Sequence, residues 1–234
     1  MLWEKNLMNI DELKEEISSV LSSPGCSAEF YFLLDGNDGM RLKSIDITDN
    51  DHADLEKLFI DSVSDNVLLN DELSLIQLSS ADDRKNAIYL YDIEEVPVEL
   101  THLKLIIENE NFEQFSFSTD SLSELEGILV LIGNQETQLA IYKYQYPVTL
   151  LKKESGYNLI KTIGSNRFQK LDRDVLKLNS KFEFFKINGK YYIIDIKTLE
   201  RFFGFHDAVK NIAMQGIENI KKAFPKRITT LQRE

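Results

Sequence analysis

The stretch FKINGKYYIIDIKTLERFFGF, residues 185–205, contains two apolar runs separated by Asn188 and Gly189. Asn-Gly is the preferred pair for a two-residue type I′ turn, so the sequence predicts a β-hairpin here. In the register that this turn imposes, Glu183 faces Ile194 across the hairpin. Apolar residues occur on both faces, which predicts that the hairpin lies at the buried centre of a sheet.

In the same stretch, Asp195, Ile196 and Lys197 come directly after a predicted strand, and this short motif is found in metal-dependent nucleases. Such an enzyme needs two carboxylates that converge on a divalent metal, and Glu183 is the nearest upstream acid. Because side chains alternate along a strand, we expect Glu183 and Asp195 to project to opposite faces and to share no metal. We expect Asp195 instead to cap the short helix that follows. A site completed by a more distant acid, Asp172 or Asp174, is the alternative.

Alternating or continuous apolar runs predict the remaining strands. These strands are predicted at 28–34, 40–47, 73–78, 87–92, 127–133, 139–146 and 175–178. Most of them follow one another as hairpins, which favours antiparallel pairing.

Amphipathic spacing predicts three longer helices. The first spans 9–22, with Asn9 as its cap and Glu12 at the N3 position, and the second lies near 51–63 with Asp51 as its cap. The third spans 206–224 near the end of the chain. Together these elements predict an α+β fold, with a largely antiparallel sheet, flanking helices and a C-terminal amphipathic helix.

Length and composition are those of a water-soluble globular protein. The chain has 234 residues, enough for one large domain or two small ones, and Cys26 is its only cysteine. No apolar run reaches the ~20 residues that cross a bilayer, and the start of the sequence has no signal-peptide pattern. We therefore expect a cytoplasmic protein without disulfides.

Charge is divided unevenly along the sequence. Residues 1–140 contain 8 basic and 30 acidic residues, a net charge of −22, whereas residues 141–234 contain 19 and 9, a net charge of +10. We interpret 1–150 as an acidic region that faces partners and 151–234 as a basic region of hairpin and helix. One continuous domain is the alternative to this division. The asymmetry indicates either an anionic ligand for the second half or attraction between the two halves.

Basic side chains in the second half are the candidate DNA-binding residues. Several follow strands or lie in a loop that contains glycine and asparagine, and others recur on one side of the last predicted helix. The candidates are Lys152, Lys153, Lys161, Arg167, Lys170, Arg173, Lys210, Lys221, Lys222, Lys226 and Arg227. A solvated lysine-rich face is the alternative interpretation.

No catalytic constellation is evident in the sequence. The glycine-rich phosphate motifs and the G-x-S-x-G motif are missing, and the three histidines stand alone. We therefore predict no catalytic residue, no metal ligand and no cofactor. A metal-dependent nuclease that uses Asp195 and Lys197 remains the alternative.

Four stretches together resemble the KwaB-like family, whose namesake is the cytoplasmic component of the bacterial Kiwa anti-phage defence system. In chain order they are SSADDRKNAIYLYDIEEVPVEL (79–100), FSFSTDSLSELEGILVLIG (115–133), IYKYQYPVTLLKK (141–153) and LDRDVLKLNSKFEFFKINGKYYIIDIKTLERFFGFHDAV (171–209). The last is the most specific, with V-L-K-L, an F-x-F hairpin, a tyrosine-rich strand and L-E-R-F-F-G-F. The resemblance covers roughly 75–215 and includes no catalytic motif.

This resemblance implies a defence component that binds DNA, self-associates as a dimer or tetramer, and acts with a small membrane protein, KwaA. It identifies no DNA-contacting residues, so the candidate residues are inferred from the distribution of charge alone. Family members usually continue beyond the helix that follows F-G-F, so we expect this chain to be either a shortened relative or only part of the working unit. A pure interaction scaffold, in which the two charged halves neutralise each other, is a further alternative.

Overall fold

A computed structural model describes residues 9–37, 39–80, 85–94, 96–109, 111–145, 150–151, 159–161, 168–170 and 175–202 of the chain. For 150–151, 159–161, 168–170 and residue 202 it describes the backbone. The predicted C-terminal helix, 206–224, lies outside the described residues.

The described helices alternate with strands along the chain. The α-helices are α1 (Ile10–Leu21), α2 (Asp49–Val63), α3 (Val98–Glu108) and α4 (Ile196–Phe202), and a π-helical turn (Ser64–Leu68) directly follows α2. The strands are β1 (Ser27–Gly36), β2 (Gly39–Ser44), β3 (Ser74–Gln77), β4 (Ala87–Leu90), β5 (Leu125–Gly133), β6 (Gln138–Tyr144), β7 (Leu150–Leu151), β8 (Leu159–Lys161), β9 (Phe168–Lys170), β10 (Val175–Leu176), β11 (Phe184–Ile187) and β12 (Lys190–Ile193).

Eight strands form one sheet in the order β2-β1-β5-β6-β11-β12-β4-β3. Every neighbouring pair is antiparallel except β3 and β4, which run parallel. The nine residues 78–86 lead the chain from the end of β3 back to the start of β4. The predicted α+β class with a largely antiparallel sheet is confirmed.

The central hairpin of the sheet consists of β11 and β12. Ile187 faces Lys190 in it, and Asn188 and Gly189 have φ values of 47° and 77°, as a type I′ turn requires. The hairpin lies between β6 and β4, so its predicted place inside the sheet is confirmed. Since β11 and β12 follow residue 151, strands from both halves of the sequence share this sheet.

Side chains from both faces of the sheet are buried, because helices cover each face. On one face α1 and α2 pack Leu13, Ile17 and Phe59 against alternate residues of β1, β5, β6 and the hairpin. On the other face α3 packs Leu100 and Leu103 against the intervening residues. Covering on both faces explains why the strands are apolar almost throughout instead of alternating with polar residues.

The helix boundaries test the predicted caps. Asn9 and Glu12 form a reciprocal capping box at α1, which confirms that cap. Asp51 does not cap α2, because the helix begins two residues earlier with Thr48 at the cap position; the Asp51 carboxylate accepts a hydrogen bond from the Thr48 hydroxyl at 2.6 Å. Helix α3 was not predicted, although Pro97 precedes it and its buried residues Leu100, Leu103 and Ile106 recur every three positions.

Candidate functional site

The alternation of side chains is interrupted at Glu183, immediately before β11. The backbone N–H groups of Ile194 and Asp195 both donate to the Glu183 carbonyl oxygen, at 2.8 and 3.2 Å. Two residues of one strand therefore oppose one residue of the other, which is a β-bulge. Beyond the bulge, Glu183 and Asp195 line the same cavity. The prediction that they project to opposite faces is wrong, because it assumed uninterrupted pairing.

This cavity, here called the hairpin cavity, has a volume of about 470 Å³. Its lining residues are Asn66, Lys143, Asn179, Lys181, Phe182, Glu183, Ile194 and Asp195. The π-helical turn after α2 supplies Asn66, whose amide nitrogen donates to the Ser62 carbonyl at 2.7 Å. The Ser62 hydroxyl donates to the Ser180 carbonyl, so hydrogen bonds join two walls of the cavity.

Lys143 and Glu183 carry charge-bearing groups into the interior, with 3% and 4% of their surface exposed. The Lys143 ammonium donates to Asn179 Oδ1 at 2.6 Å and to the Lys181 carbonyl at 2.8 Å. Glu183 Oε2 accepts the backbone N–H of Tyr144 at 2.6 Å. In the part of the chain that the structure describes, neither side chain forms an ion pair within 4 Å. Each buried charge therefore relies on neutral hydrogen-bond partners.

Burial changes the protonation of both side chains. Burial and, to a smaller extent, the nearby charge of Asp195 raise the pKa of Glu183 to about 7, against the opposing effects of the Tyr144 N–H and of Lys143. Burial also lowers the pKa of Lys143, although the Glu183 charge counteracts this. Glu183 therefore gains and loses its proton near neutral pH. Perturbed titratable groups in a cleft are characteristic of functional sites.

Asp195 lines the cavity and caps α4. Its Oδ1 accepts the backbone N–H groups of Lys197 and Thr198 at 3.0 and 3.3 Å, and its Oδ2 accepts the Thr198 hydroxyl at 3.1 Å. The predicted capping role is confirmed. Lys197 is exposed in the first turn of α4.

A second polar group, here called the edge cluster, lies beside the edge strand β2. It comprises Arg41, Lys43, Glu113, Asp120 and Glu124. Arg41 pairs with Glu124 and Lys43 pairs with Glu113, each at 2.6 Å, and both cations lie 3.9 Å from the buried Asp120 carboxylate. These ion pairs fix the loop before β5 against the sheet.

The predicted DNA-binding side chains are beyond what the structure describes. Lys161 and Lys170 lie in the paired strands β8 and β9, of which the backbone alone is described. Lys152, Lys153, Arg167, Arg173, Lys210, Lys221, Lys222, Lys226 and Arg227 lie outside the described residues. That these cations share one DNA-binding surface therefore stays a prediction.

Clustered metal ligands and membrane-spanning helices are both absent from the described residues. No group of three or more histidine, cysteine, aspartate or glutamate side chains among them is arranged to hold a metal ion. None of the described helices has both the length and the apolar character needed to cross a bilayer.

Comparison with known proteins gives two related matches. The family model described as Kiwa protein KwaB-like matches residues 122–224. The Kiwa protein KwaB of Escherichia coli O55:H7 (strain RM12579 / EPEC) is 26% identical over 216 residues, which cover 92% of this chain and 67% of that relative. The chain is thus similar to the KwaB-like family. The resemblance found in the sequence is thus confirmed.

Both matches are to Kiwa proteins, and this similarity points to Kiwa anti-phage defence. The residues matched by the KwaB-like model include every lining residue of the hairpin cavity except Asn66. No solved structure matches the chain significantly.

Lys143 lines the hairpin cavity together with Glu183 and was not among the predicted site residues. One signal was available: Lys143 continues the series of Leu139 and Ile141, whose side chains enter the core covered by α1 and α2. A lysine at the next position of an inward-facing series is a buried cation that needs a partner.

Proposed function

We propose that this chain is a non-enzymatic DNA-binding and partner-binding component of a Kiwa-type defence system that acts with the membrane protein KwaA. The observation that carries the proposal is the coincidence of family match and positive charge. The family model matches residues 122–224, and nine of the eleven candidate cations lie within that range. The acidic first half, with 30 acidic residues in 1–140, is unsuited to contact with phosphate.

The proposed mechanism is electrostatic capture of the DNA backbone by the basic region. Lysine and arginine side chains displace condensed counterions from the phosphates, and this release supplies affinity that decreases as salt increases. Phosphate contacts position a protein on the duplex without reading its bases. We therefore expect binding to duplex DNA with low sequence specificity.

The proposed partner contacts use the acidic region. In this view it docks to KwaA and brings the protein from the cytoplasm to the inner face of the cell membrane. Self-association as a dimer or tetramer multiplies the phosphate contacts by symmetry and increases avidity. Co-expression followed by membrane flotation tests the docking: the protein should float with the membranes when KwaA is present and stay in the soluble fraction when it is absent.

A mobility shift with duplex DNA, measured between about 50 and 200 mM salt, tests the DNA contact. We expect log affinity to fall linearly with log salt. Neutralising Lys221, Lys222, Lys226 and Arg227 with glutamine should weaken binding and reduce the slope by about 0.9 for each phosphate that the variant no longer neutralises.

The matched control replaces Lys57 and Lys104 with glutamine, because both are exposed lysines of the acidic region. This control should bind DNA as the unmodified protein does. Affinity that is independent of salt, or an equal loss in the control, would contradict the proposal.

Two rivals give different results in the same assays. A metal-dependent nuclease degrades DNA with Mg²⁺ or Mn²⁺ and loses this activity in an Asp195→Ala variant. An interaction scaffold shows self-association that weakens with salt, because its charged halves attract each other, and gives no DNA shift.

A further inference from the structure

The hairpin cavity is a pocket of the size that small ligands occupy. Its volume of about 470 Å³ lies within the range of roughly 300–1,000 Å³ that is usual for small-molecule sites. Phe182 and Ile194 contribute apolar lining, and the remaining lining residues are polar or charged. The hydrogen-bond partners already in place around the cavity show which groups are available to a ligand.

On one side of the cavity the available group is a donor. The Lys143 ammonium has three N–H bonds, of which two are directed at Asn179 Oδ1 and the Lys181 carbonyl. The third has no partner within the described parts of the chain. A ligand therefore meets a buried positive charge with one spare donor.

The other available groups are acceptors. Glu183 Oε2 accepts the Tyr144 N–H, whereas Oε1 accepts no hydrogen bond from any residue that the structure describes. Asp195 retains acceptor capacity beside its capping bonds, since a carboxylate offers about four lone-pair sites. Asn66 uses its amide nitrogen as a donor, which leaves its carbonyl oxygen as an acceptor.

This combination disfavours simple ions. An isolated phosphate is repelled by Glu183 and Asp195, and a divalent cation is repelled by Lys143 and finds two carboxylates where protein sites commonly supply more oxygens. A ligand that matches the cavity presents an acceptor to Lys143 and adjacent donors to the two carboxylates. It also has apolar faces that can lie against Phe182 and Ile194.

We propose that the hairpin cavity binds a purine base whose edge carries a carbonyl oxygen beside N–H donors, as guanine does. The guanine carbonyl O6 accepts from Lys143, a pairing that lysine commonly makes. Its ring N–H and amino group donate to Glu183 and Asp195. Adenine carries an amino group in place of this carbonyl. It is disfavoured because this amino group and the Lys143 ammonium are both donors and cannot hydrogen-bond to each other.

Two sources can supply such a base. One is a free guanine nucleotide, and the other is an unstacked guanine in DNA, which enters a pocket to be read along its Watson–Crick edge. The second source rests on the proposed DNA-binding function, whereas the first does not.

Isothermal titration of the full chain with the 5′-monophosphates of guanosine, inosine and adenosine tests the site. The shared phosphate makes any contact with basic residues equal in all three. We expect guanosine monophosphate to bind about tenfold more tightly than the inosine compound, which lacks the amino group, and the adenosine compound to bind more weakly still. Equal affinity for all three, or no heat of binding from any, overturns the proposal.

Substitutions locate the preference in the cavity. Glu183→Gln and Asp195→Asn should each reduce guanosine monophosphate affinity about tenfold, and asparagine preserves the helix cap. The matched control is Glu113→Gln, which alters an exposed carboxylate of the edge cluster and should leave the affinity unchanged. If Glu183→Gln does not fold, Asp195→Asn carries the test. A preference that survives Asp195→Asn overturns the proposal.

Duplexes with one unpaired guanine or one unpaired adenine then identify the source. A guanine preference that disappears in Asp195→Asn identifies a base in DNA. Equal binding of the two duplexes, together with selective binding of the monophosphate, identifies a free nucleotide. The salt-dependent shift of a fully paired duplex tests the proposed function independently of either result.

Discussion

The hairpin cavity and the edge cluster use lysine and carboxylate side chains in opposite ways. In the edge cluster each cation has a carboxylate within 4 Å, and its ion pairs fasten a loop to the sheet. In the hairpin cavity Lys143 is directed at an amide oxygen and a backbone carbonyl, and Glu183 at a backbone N–H. Neutralised charges hold structure together, whereas charges kept apart in a cavity retain hydrogen-bonding capacity for a ligand.

The largest difference is expected when the lysine of each region is removed. Lys143→Ala should lower the free energy of unfolding by about 3 kcal/mol, because it deletes a buried side chain and leaves Asn179 Oδ1 and the Lys181 carbonyl without the hydrogen bonds that its ammonium donates. Lys43→Ala should cost about 1 kcal/mol, since Arg41 stays 3.9 Å from Asp120. Urea unfolding of both variants measures the difference. If the two variants lose the same free energy of unfolding, the hairpin cavity is no more sensitive to removal of its lysine than the edge cluster is.

This comparison also separates what the sequence could predict from what it could not. Local signals were sufficient for the central hairpin and for the α1 cap, because the Asn188-Gly189 turn and the Asn9/Glu12 pair act over a few residues. The similarity to the KwaB-like family was accessible too, from stretches spread along the chain. These elements depend on short-range chemistry that the sequence displays directly.

The cavity depended on a feature that periodicity does not display. Uninterrupted alternation places Glu183 and Asp195 on opposite faces, and the bulge, formed when Ile194 and Asp195 share one carbonyl, brings them together. Lys143 comes from β6, some forty residues before Glu183, so its proximity follows from strand order alone. A bulge and a strand order are decided by packing of the whole sheet, which a single sequence window does not contain.

The two regions should also respond to pH with opposite signs. The pKa of Glu183 is raised from 4.5 to about 7, so between these values the folded state binds more protons than the unfolded state, and stability falls as pH rises. The pKa of Glu113 is lowered by its hydrogen bond to Lys43, so its contribution is present at neutral pH and is lost on acidification.

Glu183→Gln and Glu113→Gln test this contrast by chemical unfolding at pH 4.5 and pH 7. The unmodified protein loses stability over this interval because of the raised Glu183 pKa, and glutamine does not titrate. The free energy of unfolding of Glu183→Gln, relative to that of the unmodified protein, should therefore increase by on the order of 2–3 kcal/mol from pH 4.5 to pH 7. Glu113→Gln should change little over this interval and should gain relative stability below pH 4.5, where the unmodified protein loses the stabilising charge of Glu113. Parallel pH profiles for the two variants would mean that Glu183 is not held as a buried acid.

The smallest expected effect concerns the cap that Asp195 provides. Asp195→Ala removes the acceptor for the Lys197 and Thr198 N–H groups and should cost about 1 kcal/mol of stability, whereas Asp195→Asn should cost a few tenths, because asparagine caps equally well. Thermal unfolding of the two variants measures the cap by itself. Since asparagine keeps the cap and removes the charge, any ligand affinity lost in Asp195→Asn belongs to the carboxylate. If asparagine destabilises the protein as much as alanine does, Asp195 is bound into the cavity more strongly than a cap requires.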